Sequence, residues 1–228
     1  MIAVIPAAGE GTRLRPHTHT LPKVLVQVAG KPILGHILDQ LVAAGIDEVV
    51  VIVGYLGDLV EEYVTENFKL KAHFVEQEER KGLGHAINLA RPHVGDRPCL
   101  VIYGDTIFDV DLPAMLAGPT NLIGVREVDD ARRFGVVEVN GKSIVRMVEK
   151  PDQPPSNLAI VGLNLIRDSA AMFAAIDYLI EHDVRTKGEY QVTDAFQRMV
   201  ETGVHMETFF VEDWFDRRLW FRAIEPRL

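Results

Sequence analysis

Apolar and polar positions follow two rhythms along the chain. An apolar run from Ile2 to Ile5 ends at Pro6 and the small-residue segment Ala7-Ala8-Gly9-Glu10-Gly11-Thr12, which predicts a buried strand entering a glycine loop. Val24 to Val28 predicts a second, short strand. Pro32 then opens a helix with Ile33, Leu34, Ile37, Leu38, Leu41 and Val42 on one face and Gly45 as its terminator. The β-branched run Glu48 to Val53 predicts a strand buried on both sides, and helical spacing returns over Asp58 to Phe68. A strand at Ala72 to Val75, a helix near Gly84 to Ala90 and an apolar strand Cys99 to Tyr103, stopped by Gly104-Asp105, continue the β-α alternation.

Beyond residue 120 the rhythm becomes one of strands. Asn121 to Val125, Gly135 to Val139 and Ser143 to Glu149 follow one another, with Asn140-Gly141 as a hairpin turn between the last two. After a proline-marked loop (Pro151, Pro154, Pro155) come a strand at Ile160 to Ile166, helices at Ser169 to Glu181 and Thr193 to Glu201, and a strand at Met206 to Val211. The expected fold is α/β: an open, Rossmann-like, mixed but mainly parallel sheet with helices on both faces. No repeat or linker divides the chain, so residues 1–228 are expected to form one domain with an antiparallel section near 121–166.

Composition narrows the function. With 24 Lys+Arg against 33 Asp+Glu the formal charge is 24 − 33 = −9, which argues against nucleic acid or an anionic membrane as a partner. The single cysteine, Cys99, excludes an internal disulfide and a cysteine-based zinc site, and fits a reducing, cytoplasmic setting. Residues 1 to 9 lack the features of a signal peptide, and no apolar run is long enough to span a membrane. The oligomeric state is left open, homo-oligomers included.

The glycine loop fits neither common phosphate motif. Leu14 occupies the third glycine position of a dinucleotide fingerprint, and Lys23 lacks the flanking residues of a P-loop. The stretch instead carries Arg13, Arg15, Lys23 and Lys31 with no Asp or Glu from Gly11 to Lys31, four cations in one acid-free segment of an acidic protein. Glycine amides and arginine forks suit phosphate oxygens, so a triphosphate site is one reading and a solvated basic turn is the other.

The motifs themselves go further. Ala7-Ala8-Gly9-Glu10-Gly11-Thr12-Arg13-Leu14-Arg15-Pro16, then Leu21-Pro22-Lys23 and Gly30-Lys31-Pro32, closely resembles the signature of the sugar-1-phosphate nucleotidylyltransferases, also called NDP-sugar pyrophosphorylases. The resemblance continues through Gln77 to Ala86, Tyr103-Gly104-Asp105, Phe134-Gly135-Val136-Val137, Glu149-Lys150-Pro151, Gly188-Glu189 with Thr193-Asp194, and Trp214-Phe215-Asp216. It implies the nucleotide-diphospho-sugar transferase fold. The implied reaction takes an NTP and a sugar-1-phosphate to an NDP-sugar and pyrophosphate, with UTP or dTTP and glucose-1-phosphate favoured. GTP with mannose-1-phosphate, an amino-sugar phosphate, and a non-catalytic nucleotide-sugar-binding subunit are the alternatives.

By this resemblance Arg13 and Lys23 are catalytic groups at the reacting phosphates. Ala7, Ala8, Gly9, Gly11 and Thr12 line the nucleotide together with Arg13, while Gln77 and Gly82 read the base. Gly135, Glu149, Lys150 and Gly162 hold the sugar phosphate, and Asp105 and Asp216 ligate Mg²⁺. Taken alone, each aspartate reads more readily as a turn or cap residue, and Glu149-Lys150 as an exposed charge pair. Two departures from the family pattern stand out: Asn164 where an aromatic is common, and Arg217-Arg218-Leu219-Trp220 where small residues usually follow the aspartate.

Overall fold

Strand β1 (Ile2–Pro6) forms where the sequence predicts it. The apolar run at Val24 does not become a strand. Following Pro22, Lys23–Leu25 winds into one 3-10 turn that buries Val24 and Leu25, and only Gln27–Val28 (β2) is extended. β2 turns through Ala29 and Gly30, both at positive φ, into Lys31–Pro32 (β3). Helix α1 (Ile33–Ala43) buries Leu34, Ile37, Leu38 and Leu41. It ends in a Schellman motif: Ile46 N–H donates to the Leu41 carbonyl at 2.9 Å and Gly45 N–H to Val42 at 3.0 Å, with Gly45 at φ +77°. The computed structural model describes residues 1–9 and 20–216.

The alternation continues through β4 (Glu48–Val53), α2 (Gly57–Asn67), β5 (Lys71–Glu76), α3 (Leu83–Asn88), the short α4 (Arg91–Val94) and β6 (Cys99–Ile102). Two elements absent from the hydropathy reading follow, β7 (Thr106–Asp109) and α5 (Leu112–Ala117). Asp111 caps α5 by accepting from Ala114 N–H at 3.0 Å. Then come β8 (Asn121–Glu127), β9 (Gly135–Asn140), β10 (Ser143–Glu149) and β11 (Leu158–Ile166). The β9–β10 turn falls on Gly141 and Lys142, one position later than Asn140-Gly141, because Asn140 still pairs with Ser143. Asp168 caps α6 (Ser169–Glu181), and α7 (Val192–Glu201), β12 (Met206–Phe210) and β13 (Asp213–Asp216) complete the described chain.

Nine strands form one sheet in the order β5-β4-β1-β6-β11-β8-β12-β10-β9. β4 pairs in parallel with β5 and β1, β1 with β6, and β12 with β8. The pairings of β11 and β10 are all antiparallel, so those two strands alone oppose the direction of the other seven. Mixed but mainly parallel is therefore the right description. A further pairing, Ala159 with Val136, joins the edge strand β9 back to β11 and closes the antiparallel end into a ring.

Apolar side chains pack on both faces. Val50 and Ile52 of β4 join α3, α6 and α7 on one side. Val49, Val51 and Val53 join α1, α2 and α5 on the other, which is why β4 reads as an unbroken β-branched run. None of the described helices is long and apolar enough to cross a membrane.

Candidate active site

The ends of β1, β5 and β6 open on one cavity of about 440 Å³, within the size range of small-molecule sites. Close backbone contact brings these ends together. Ala7 N–H donates to the Ile52 carbonyl at 2.7 Å, and Gly104 N–H to Pro6 at 3.1 Å. A Cβ at Gly104 would lie 2.8 Å from the Pro6 oxygen, so glycine is what lets the end of β6 approach β1. That approach carries Asp105 to the turn bearing Lys23, where the two form an ion pair. The lysine side chain is 12% exposed and the aspartate 35%, so Lys23 presents a mostly desolvated charge.

Ala7, Ala8, Gly9, Lys23, Gln77, Gly82 and Asp105 all line this cavity. Gln77 donates its amide hydrogens to the Gly82 carbonyl and to His85 Nδ1, each at 3.2 Å. Burial, followed by the positive charge of Lys81, holds His85 below the ordinary imidazole range, which favours the neutral ring that accepts from Gln77. Gly82 has φ +105°, and a Cβ there would stand 2.6 Å from the Tyr190 carbonyl oxygen. Tyr190 is tied to this loop in both directions: its N–H donates to Lys81 and its carbonyl accepts from Gly84, both at 2.8 Å.

The opposite wall comes from the closed ring of strands. Glu149, at the end of β10, is buried, accepts from Thr193 Oγ1 at 2.7 Å and pairs with Lys150 Nζ at 2.6 Å. Gly135 faces it across the β9–β10 ladder, and a Cβ there would come within 2.8 Å of Thr193 Oγ1 and 3.0 Å of Glu149 Oε2. Lys150 has φ +41°, a left-handed conformation unusual for a side-chain-bearing residue, held by its N–H bond to the Phe134 carbonyl at 3.0 Å. Burial raises the Asp194 carboxyl, and the neighbouring charge of Glu149 adds to the shift.

Gly162 does not line the cavity. At φ +82° it lies under Tyr103, whose ring a Cβ would meet at 2.4 Å, so its contribution is room for that ring. Gly11, Thr12 and Arg13 lie outside the described residues, as do Arg15 and the tail from residue 217. Of Asp216 only the backbone is described; it pairs with Thr106 across the β13–β7 ribbon, one residue from Asp105.

Several lining residues were not singled out from sequence. Arg80 and Arg133 contribute guanidinium groups, Thr193 holds Glu149, and Trp214 packs edge-on against Phe134 with ring centroids 5.4 Å apart. Thr193 and Trp214 stand inside segments that carry the family resemblance, which was the available signal.

Residues 2–217 match the family described as nucleotidyl transferase. The chain is 34% identical over 223 residues to the UTP–glucose-1-phosphate uridylyltransferase AglF of Haloferax volcanii, covering 94% of this chain and 89% of that one. It is 35% identical over 223 residues to the low-salt glycan biosynthesis nucleotidyltransferase Agl11 of the same organism, of which the match covers 61%. Among solved structures it resembles a UDP-glucose pyrophosphorylase crystallised with UDP-glucose, with a TM-score of 0.82 at 26% identity, covering 94% of this chain and 92% of the other. Motifs, sheet order and matches along almost all of its length agree: the chain belongs to the nucleotidyl transferase family.

Proposed function

We propose that this protein joins a nucleoside triphosphate to a sugar-1-phosphate, forming an NDP-sugar and pyrophosphate, with UTP or dTTP and glucose-1-phosphate as the favoured pair. The observation that carries the reading is one cavity with the Lys23–Asp105 pair on one wall and the Glu149–Lys150 pair on the other. The named activities of AglF and of the UDP-glucose pyrophosphorylase support the choice of substrates.

An oxygen of the sugar phosphate attacks the α-phosphorus. A new P–O bond forms there as the bond from that phosphorus to the bridging oxygen breaks, and pyrophosphate leaves with the bonding electrons. At about 4 Å and an effective dielectric near 20, two like unit charges repel by roughly 4 kcal/mol, so cations must offset the approach of two anions. Lys150 takes the monoester phosphate and Lys23 the reacting phosphates, with Arg13 assigned to the triphosphate by the family motif. No general base is required, because the attacking phosphate is already anionic.

Glu149 accepts from sugar hydroxyls, its carboxylate fixed by Thr193. The Gln77 amide nitrogen is engaged by Gly82 and His85, which leaves the carboxamide oxygen to accept from the pyrimidine N3–H. Asp105 offers hard oxygen donors at the phosphate end, and the β13–β7 ribbon pairs the backbone of Asp216 with Thr106 next to it, so Asp105 and Asp216 are the residues that would hold a Mg²⁺. The chemistry such a cation would supply there is neutralisation of phosphate oxygens. Pyrophosphate release measured for each NTP with each hexose-1-phosphate tests the proposal. No release from any pair in the presence of Mg²⁺ overturns it, and release only with GTP and mannose-1-phosphate redirects the specificity.

A further inference from the structure

Asn164 lies in the last third of β11 with 0% exposure, between Gly162 and Ile166 on its own face, and neither its amide nitrogen nor its amide oxygen has a hydrogen-bond partner of good geometry. Buried amides without partners are rare and destabilising, and a leucine of similar shape would avoid the cost. Its place in the sheet indicates a use for the amide. Asn164 is in register with Val101 and Ile123, so its side chain shares their face, the one to which Ile160 of the cavity wall also belongs.

Next to it stands Tyr103. This residue lines the cavity, its ring fills the space left by the missing Cβ of Gly162, and among the described residues it is the only tyrosine of the lining. Its backbone N–H donates to the Gly162 carbonyl at 2.9 Å, which fixes where the ring begins. Asn164 pairs with Val101, two residues before Tyr103 on the same face of the chain, so the amide and the tyrosine ring are diagonal neighbours across the β6–β11 ladder. The tyrosine ring thus lines the cavity with a buried amide beside it.

We propose that Asn164 is a positioning residue that orients the Tyr103 hydroxyl toward one ring hydroxyl of the hexose phosphate, making the pair a selector of sugar stereochemistry. This rests on the sugar-phosphate reading of the cavity given above. The amide makes no well-aligned bond without ligand; a sugar hydroxyl that fixes the phenol rotor aligns one such bond, so one polar group of the amide is engaged when the correct sugar is bound. Asn164 does not line the cavity and acts only through Tyr103.

The test uses the full chain, UTP or dTTP, glucose-1-phosphate and its monodeoxy analogues. In the wild type one deoxy position should be discriminated against. Tyr103→Phe and Asn164→Leu should each erase that discrimination at the same position and raise KM for the parent sugar phosphate on the order of tenfold. KM for the NTP and the melting temperature should hold, since leucine removes an unpaired amide from the core. The double variant should be no worse than Tyr103→Phe alone. Asn164→Ser, polar but withdrawn from the hydroxyl, replaces the leucine variant if that one does not fold. Unchanged discrimination in the Asn164 variants, or additive losses in the double variant, overturns the proposal while leaving the enzymatic reading intact. A wild type that turns over no sugar phosphate overturns both.

Discussion

At the end of the cavity proposed to take the nucleotide the groups stand on loops that directly follow the parallel strands β1, β5 and β6, and backbone packing sets their positions: Gly104 against Pro6, Gly54 against Ala8, Gly82 against Tyr190. At the end proposed to take the sugar they come from β9, β10 and the start of α7. Their positions depend on side-chain contacts between distant segments, such as Thr193 to Glu149, and on the left-handed backbone of Lys150. The parallel half therefore presents a template built from local glycines. The antiparallel ring presents a wall that exists only once β9 has closed back on β11. Substrate choice at the first end should resist single side-chain changes, whereas choice at the second should respond to them.

The largest expected effect lies where the two halves meet in the chemistry. Asp105→Asn should lower kcat/KM by on the order of 10³-fold or more, without rescue by excess Mg²⁺, because the amide keeps the shape and loses the charge proposed to hold a cation. The melting temperature should stay within a few degrees of wild type, as Asp105 is partly exposed and its pairing with Lys23 is not a core contact. Steady-state pyrophosphate release and a thermal melt decide the matter; near-normal turnover would remove Asp105 from the proposed metal site.

Glu149→Gln comes next and probes the side-chain-built wall. It keeps an acceptor for Thr193 but removes the charge facing Lys150 and the sugar, so kcat/KM for the sugar phosphate should drop by about 10²-fold. KM for the NTP should change less than about twofold. Equal effects on both substrates would mean that the two walls are not separable.

Gly82→Ala tests the backbone-built wall. The residue sits at φ +105° with Tyr190 oxygen 2.6 Å from any added Cβ, so the substitution should cost roughly 1–3 kcal/mol and displace the loop. The signature should be a raised KM for the NTP with the sugar phosphate little affected, the reverse of Glu149→Gln. A neutral result would show that this loop has room the close packing denies.

These contrasts also account for what could be read before folding. β4 and β10 fall on their predicted bounds, as does α6, because their periodicity is unbroken and Asp168 marks the α6 start. Val24 to Val28 misleads because apolar character signals burial and not extension: Val24 and Leu25 are buried, but on a turn that delivers Lys23. The β7–β13 ribbon leaves no periodic trace, since two four-residue strands about a hundred positions apart define each other only in the folded chain. The same holds within the site. Asp105, Lys23 and Gly82 belong to compact motifs, while Arg133, Thr193 and Trp214 reach the cavity through ring closure and ribbon pairing that local spacing does not encode.

The smallest effect expected is one of pH, and it sharpens the comparison because only one wall carries the group. His85 accepts from the Gln77 amide, and burial holds its pKa below the 6.5 of an ordinary histidine. The unfolded chain thus takes up this proton first as pH falls. The stability contributed is fully present above about 6.5 and is lost as pH falls through the folded-state value. In catalysis, protonation turns Nδ1 from an acceptor into a donor and repels the Gln77 amide hydrogens, freeing the carboxamide to flip. KM for the NTP should therefore rise as pH falls below the range of an ordinary histidine, and a His85→Asn variant, which cannot titrate there, should lose that added rise. Sugar-phosphate KM has its own acidic limb from the substrate's phosphate, and that limb should be identical in both proteins. A sugar-phosphate profile that shifts with His85→Asn would mean that the loop joining Lys81 to Tyr190 transmits between the walls, and that the template is less independent of the ring than its backbone packing implies.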